Sequence, residues 1–182
     1  SDPLIGARIL MYEKTKDEVG YAILDIDGDE RDMISFYGEW AHERHIQRQP
    51  LMRGNQRIFS RRGSSSHHFS PFMMVTDKRA TEERGEAYAF NFVWSGNWLG
   101  EVETDQTHNT RVLLGLGDEC FNYLLKSGES FASPEAVMTY SGGGIGRASR
   151  NMHRFVRAHI LPRDKFPCRP VVLNSWEAFF FN

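Results

Sequence analysis

Apolar and polar residues alternate in short runs through most of the first 141 residues, and turn-forming residues separate the runs. Side chains of a β-strand point alternately to two faces, so this pattern predicts strands with one face in a core and one in water. The predicted strands cover residues 4–12, 19–26, 33–48, 72–76, 87–94, 98–104, 110–116, 121–125 and 136–140. Short strands at regular spacing are typical of antiparallel all-β folds. We therefore predict an antiparallel β-sandwich over 1–141, in which the Arg-, Gly- and Ser-rich stretch 53–66 is a long loop.

The period of the pattern changes after Gly142-Gly143-Gly144. Apolar residues then fall three or four positions apart, which predicts one helix with a single apolar stripe that Pro162 ends. The opposite face carries four arginines, and because the net charge of the chain is -2 we interpret it as solvated or in contact with another domain, not bound to nucleic acid. The stripe comprises Ile145, Ala148, Met152, Phe155, Val156, His159 and Ile160, and the arginines are Arg147, Arg150, Arg154 and Arg157. We assign 142–167 to this linker helix and its connection.

The last residues differ from both patterns. Val171 to Leu173 form a continuous apolar run without alternation, which is typical of a strand buried on both faces. Such a strand needs parallel neighbours and covering helices. We therefore expect 168–182 to hold a truncated first strand of a further domain.

Composition excludes several classes of function. Net charge -2 and pI near 6.4 give no global field toward nucleic acid or a membrane surface. The longest apolar runs are shorter than the ~20 residues that a membrane-spanning helix needs. Cys120 and Cys168 are the only cysteines, which favours a reducing compartment, the cytoplasm. We expect no cofactor.

Three possible reactive or metal sites have simpler interpretations. On an extended strand His42 and His45 point to opposite faces, so a joint metal site would need a bulge or another element. The acidic stretch Asp25 to Glu30 begins like a calcium loop but lacks the later glutamate, and we interpret it as an ordinary turn. Ser64 to His67 suggests a nucleophile pair, yet such sites also need an orienting group and an oxyanion pocket. We predict no metal site.

Four stretches resemble one known family. Arg-Pro-Val-Val-Leu-Asn-Ser-Trp-Glu-Ala-Phe-Phe-Phe, from Arg169 on, resembles the opening strand of the catalytic barrel in α-galactosidases of glycoside hydrolase family 36. Three upstream stretches resemble the same family in the same order, and they are Trp40 to His45, Ser60 to His67 and Gly128 to Val137. Ser175 and the ending Phe179-Phe180-Phe181-Asn182 depart from the family pattern, which leaves the detail of the pocket open.

The resemblance implies an N-terminal β-sandwich, a catalytic (β/α)8 barrel and a small C-terminal β-domain, often in a homotetramer. It also implies retaining hydrolysis of terminal α-galactosides such as raffinose, stachyose and melibiose. The family's aspartate nucleophile lies in a Lys-Trp-Asp segment that this chain does not contain, and none of its other carboxylates can be nominated as catalytic. The resemblance therefore implies that this chain comprises the later part of the sandwich, the linker helix and the first barrel strand. On its own, the chain is expected to be inactive.

The resemblance implies that one residue of this chain belongs to the galactose pocket. Trp176 follows the presumed first strand, and the C-terminal ends of barrel strands carry the active site. The resemblance also implies that the loop Arg61 to His68 and the strand Trp40 to His45 line either the pocket rim or a subunit contact. The alternative function is a stand-alone carbohydrate-binding β-sandwich without an attached enzyme.

Overall fold

Two antiparallel sheets form the framework of the described part of the chain. The computed structural model of the chain describes residues 21–27, 30–117, 121–161 and 170–180. The strands are β1 (Tyr21–Asp27), β2 (Arg31–Glu39), β3 (His42–Pro50), β4 (Gly54–Ser60), β5 (Phe69–Asp77), β6 (Ala87–Val93), β7 (Trp98–Thr104), β8 (Asn109–Leu116) and β9 (Glu135–Ser141). The four-stranded sheet has the order β1-β8-β7-β4 and the five-stranded sheet has the order β3-β2-β5-β6-β9.

The main core lies between the two sheets. It combines Met33, Met73 and Phe90 from the five-stranded sheet with Ile58, Trp98 and other residues of the four-stranded sheet. Trp98 is completely buried. Because successive side chains of a strand point to opposite faces, residues two apart, such as Met73 and Val75 on β5, turn to this core together. The predicted β-sandwich is confirmed.

A helix covers the outer face of the five-stranded sheet. Helix α1 (Ile145–Phe155) packs Ala148 against Ile34, Met74 and two alanines of β6, which form a second buried cluster. Gly144, which precedes the helix, has φ +85°, and an added Cβ would lie 2.5 Å from the carbonyl oxygen of Glu82. Only glycine fits there, because the backbone is left-handed and the neighbouring loop approaches closely. The predicted helix is confirmed, and it continues into a π-helical turn, Val156–Ile160.

The long strand predicted over 33–48 is in fact a hairpin. β2 and β3 pair antiparallel, and Trp40 and Ala41 form the turn between them. Ala41 takes a left-handed φ of 63°, a conformation that non-glycine residues seldom adopt. The sequence carries no Asn-Gly or Asp-Gly signal at this point, so alternation continues through the turn and hides it.

Two further predictions of local structure were wrong. The predicted loop 53–66 contains β4, whose seven residues pair with β7, and its polar composition hides the strand because Ile58 and Phe59 are its only large apolar residues. The strand predicted over 121–125 is absent, and Tyr123 and Leu124 in that segment are exposed. Hydrogen-bonded neighbours decide whether a short apolar run becomes a strand, and the local pattern does not show them. The strand predicted over 4–12 lies outside the described residues.

The strand expected at Val171 is also not formed. Residues 170–174 have no regular secondary structure, and Val171 and Val172 are 102% and 81% exposed. A short helix, α2 (Ser175–Phe179), follows, and the side chain of Asn174 accepts a hydrogen bond from the Trp176 amide as its N-cap. A strand needs a partner for its backbone groups, and none of the described strands pairs with this segment.

Candidate functional site

An open cleft lies beside the tip of the β2–β3 hairpin. Its volume is about 280 Å³. Aromatic, imidazole, carboxylate and amide groups surround it, and this mixture suits a polar ligand. The lining residues are Tyr37, Gly38, Glu39, His42, His45, Gln47 and His68.

A bulge in the hairpin brings two of these histidines together. Tyr37 pairs with His45 and Glu39 pairs with His42, so β3 holds one residue more than β2 over this interval. Arg44 takes up the excess with a left-handed φ of 60°. Nδ1 of His42 consequently lies 3.2 Å from Nε2 of His45. The expectation that these two side chains point to opposite faces was wrong, because the bulge interrupts the two-residue period.

The loop from Arg61 to His68 closes one side of the cleft. The amide of Gly38 donates to the carbonyl of His68 over 2.9 Å. The imidazole of His68 stacks on Tyr37, with ring centroids 5.6 Å apart and an interplanar angle of 14°. The sequence suggested the loop and the hairpin separately as functional stretches, and the fold brings them to one place.

Contacts within the sandwich hold this loop. The amide of Gly63 donates to Oδ1 of Asn97 over 2.7 Å, and the amide of Ser65 donates to the carbonyl of Ser95 over 3.0 Å. Both acceptors lie in the β6–β7 turn. The loop is therefore fixed at two points on the sandwich, which positions His68.

The charge of His68 follows from its neighbours. Desolvation, the guanidinium of Arg62 and the ring of His67 lower the pKa of His68 below its ordinary value of 6.5. The lowered pKa favours the neutral imidazole, whose Nε2, 3.3 Å from Nη2 of Arg62, can accept a hydrogen bond.

An arginine anchors the other end of the hairpin. Nε of Arg48 donates to Oδ2 of Asp32 over 2.6 Å, and its Nη1 donates to the carbonyl of Ala80 over 2.7 Å. These contacts tie β3, an edge strand whose residues are all exposed, to β2 and to the β5–β6 connection. The hairpin is therefore attached through its base, while its tip carries the cleft.

The cleft does not have the groups that glycoside hydrolysis requires. Glu39 is the one carboxylate among its lining residues. Glycosidases of the usual kind place two carboxylates on either side of the bond, about 5–10 Å apart. In the described parts of the chain, no group of three or more His, Cys, Asp or Glu side chains is arranged to hold a metal ion.

Trp176 lies on α2, outside the set of residues that line the cleft. Its side chain is 51% exposed, and its ring packs edge-on against Phe180 with centroids 6.4 Å apart. Sequence reasoning singled out Trp176, His42, His45 and His68, but missed Tyr37 and Gln47. Residues two apart on a strand share a face, so Tyr37 lies beside Glu39 on β2 and Gln47 beside His45 on β3. This spacing could have pointed to Tyr37 and Gln47 only if the pairing of the two strands had been known.

Comparison with known proteins identifies the family. The model of the Glycosyl hydrolase family 36 N-terminal domain matches residues 17–126, and the Melibiase family model matches residues 130–182. The chain belongs to glycosyl hydrolase family 36. The resemblance drawn from the four motifs is confirmed, and so is the antiparallel β-fold of the family's N-terminal domain.

Three relatives illustrate the match. Bifunctional α-galactosidase/sucrose kinase AgaSK of Mediterraneibacter gnavus is 42% identical over 170 residues, which are 92% of this chain and 18% of that protein. The crystal structure of family 36 α-galactosidase AgaB from Geobacillus stearothermophilus superposes with a TM-score of 0.82 at 42% identity, over 88% of this chain and 22% of that one. An AgaA variant from the same organism, in complex with raffinose, gives a TM-score of 0.80 at 41% identity, over 85% and 22%.

The chain spans about a fifth of the length of the relatives it matches. The matches therefore concern the family's N-terminal region and the part that follows it. Among the described helices, none has the length and apolar composition needed to cross a membrane.

Proposed function

We propose that this chain is the non-catalytic N-terminal portion of an α-galactosidase that hydrolyses terminal α-galactosides of the raffinose and melibiose type with retention. The observation that supports it most is the succession of the two family models along one chain, with the Melibiase match at 130–182 directly after the match of the N-terminal domain model at 17–126. A relative bound to raffinose supports the substrate class. The Melibiase match favours this function over a stand-alone carbohydrate-binding module.

The first prediction concerns activity. The full-length gene product should release p-nitrophenol from p-nitrophenyl α-galactoside, whereas the 182-residue chain alone should not, because its cleft has a single carboxylate. The matched control is p-nitrophenyl β-galactoside, which neither protein should hydrolyse. Activity of the purified 182-residue chain that follows its folded fraction would show that the chemistry is assigned to the wrong part. A full-length product inactive on α-galactosides would refute the function.

We further propose that Trp176 contacts galactose in the full-length enzyme. Its ring is half exposed and is available to a ligand or to a domain packed against α2. An aromatic ring against the apolar face of a sugar holds it and excludes water from the developing oxocarbenium ion. Trp176→Ala should therefore lower kcat/KM at least about tenfold, which corresponds to about 1.4 kcal/mol of transition-state stabilisation.

Activity and stability must be measured on the same preparation of this variant. Loss of kcat/KM at an unchanged Tm supports the contact with sugar. A large fall in Tm with wild-type kcat/KM would instead make Trp176 a packing residue between domains, since large-to-small core substitutions cost about 3–5 kcal/mol. Trp176→Phe, which keeps an aromatic ring at the same position, is the matched variant and should retain more of kcat/KM than Trp176→Ala.

We propose that the sandwich unit extends to residue 141 and that 142–167 forms the linker to the barrel, which begins at 168. The N-terminal family model ends at residue 126. However, β9 pairs with β6 over seven positions, from Ala87 with Ser141 to Val93 with Glu135. Hydrogen bonding thus supports a boundary after β9.

We also propose that the full-length enzyme is a homo-oligomer and that it is located in the cytoplasm. Three large apolar side chains, Trp40, Ile46 and Met52, are more than 70% exposed along the edge strand β3 and at its two ends, where they offer apolar surface to a second subunit. The two cysteines support a reducing compartment. Analytical ultracentrifugation of the full-length enzyme measures the first property directly, and a monomer would refute it.

A further inference from the structure

The apolar stripe of α1 extends beyond the sheet that it packs on. Near the start of the helix, Ile145, Ala148 and Met152 pack in the cluster on the outer face of the five-stranded sheet. Past its end, Val156 is 37% exposed and Ile160 is 50% exposed. The same stripe is therefore covered where the helix begins and open to solvent where it ends.

The hydrogen-bond pattern changes where the packing ends. The amide of Leu161 donates to the carbonyl of Val156, five residues earlier, over 2.9 Å, and Val156–Ile160 is the π-helical turn described above. Every residue of this turn is exposed. π-Helical turns are rare and are frequently found where a helix serves a function. The turn thus marks the point where the helix leaves the sheet.

The exposed end of the helix presents one apolar surface. Val156 and Ile160 lie four positions apart and share one side of the helix, and Leu161, 38% exposed, follows them. The ring of His159 packs on Phe155, with centroids 5.1 Å apart. We call Phe155, Val156, Ile160 and Leu161 the overhang. Clustered apolar side chains that stay open to solvent mark a contact with another protein surface.

The charges around the overhang indicate what its partner looks like. Residues 145–161 contain four arginines and two histidines, and no aspartate or glutamate. Arg154 and Arg157, next to the overhang in sequence, are exposed. Charges across an interface are usually complementary, because like charges facing each other cost free energy. The partner surface should therefore be apolar at its centre and acidic at its rim.

The family comparison indicates where this partner comes from. The Melibiase model matches 130–182, so a single family model includes β9, α1, the π-helical turn and the residues after them. The chain spans about a fifth of the length of its relatives. The proposed full-length enzyme therefore contains, in the same polypeptide, a domain that the overhang can contact.

A second copy of the chain fits this surface less well. In a symmetric dimer the same patch of each subunit faces its counterpart, so the arginines beside the overhang would face each other. We propose that the overhang docks on the catalytic barrel of the same polypeptide, and that the π-helical turn is the point at which the helix passes from the sandwich to the barrel. This inference rests on the proposed function, because that function supplies the barrel.

Thiol labelling of the full-length gene product tests whether the overhang is covered. Val156→Cys and Ile160→Cys should each react with a maleimide at least about tenfold more slowly than Arg150→Cys, an exposed position on the opposite face of α1. Peptide mass spectrometry assigns each label to its position. Melting curves establish that the variants are folded, and the second overhang variant replaces the first if one does not fold. Equal labelling rates at the three positions would overturn the proposal.

Photo-cross-linking identifies what covers the overhang. p-Benzoylphenylalanine in place of His159 should form cross-links to residues after 182, and a denaturing gel should show the mass of one chain. A band at the mass of two chains would assign the surface to a second copy and overturn the proposal. Cross-links confined to 1–141, or a folded protein that forms none, would overturn it too.

α-Galactosidase activity of the same preparation separates this inference from the proposed function. An active enzyme whose cross-links avoid the residues after 182 refutes the docking alone. An inactive wild type with cross-links to those residues refutes the proposed function, and the contact with the following domain still stands.

Discussion

Replacing Trp98 with alanine is expected to lower the free energy of unfolding by about 3–5 kcal/mol. Trp98 is completely buried at the start of β7, in the cluster that joins the two sheets. Removing its ring leaves a cavity that the surrounding strands cannot close, because their registers are fixed on both sides of β7. Such a loss is a large part of the stability of a typical domain, about 5–15 kcal/mol.

Two matched variants separate the causes of this loss. Trp40→Ala removes the same side chain from a position that is 76% exposed and should change stability by about 0.5 kcal/mol or less. Trp98→Phe keeps an aromatic ring in the core, and it breaks no hydrogen bond because Nε1 of Trp98 has no partner among the described residues. The free energy of unfolding should therefore fall clearly less for Trp98→Phe than for Trp98→Ala. Urea unfolding followed by circular dichroism measures all three. Equal losses for Trp40→Ala and Trp98→Ala would contradict the assignment of the core.

Ending the chain at residue 126, where the N-terminal family model ends, is expected to abolish cooperative unfolding. The deletion removes β9, which is hydrogen-bonded along all of β6, and α1 with its buried Ala148. It also removes Phe131, Ala136 and Met138, which pack against the main core. The deletion also uncovers the outer apolar cluster that α1 protects and leaves β6 without one of its two neighbours, and these losses together remove a large part of the about 5–15 kcal/mol that stabilises a typical domain.

A chain that ends at residue 161 is the control for this deletion. It keeps β9, α1 and the π-helical turn, and it lacks only the segment whose described residues are largely exposed. We expect it to melt cooperatively within a few degrees of the 182-residue chain. A cooperative transition of similar midpoint in the chain ending at 126 would place the domain boundary before β9 and refute our proposal of residue 141.

The pairing between strands cannot be read from the sequence, and this limits how well the fold could be predicted. The patterns in 87–94 and 98–104 predicted β6 and β7 closely, because alternate residues such as Phe90 and Phe92 on β6 and Trp98 and Val102 on β7 face the main core. The run Val171 to Leu173 read as a buried strand, but it is exposed and irregular. An apolar run indicates that a segment is stabilised by burial. Whether the segment becomes a strand, a helix or irregular structure depends on the segments that pack against it.

The sequence by itself determined the sandwich, the helix after the three glycines and the family. These properties follow from periodicity and local motifs, which act within a few residues. Tertiary structure alone decided where the hairpin turns, that the bulge at Arg44 brings His42 to His45, and that the loop ending at His68 meets them. The physical reason is that a bulge and a cleft depend on register between strands, and register is fixed by pairing with distant residues.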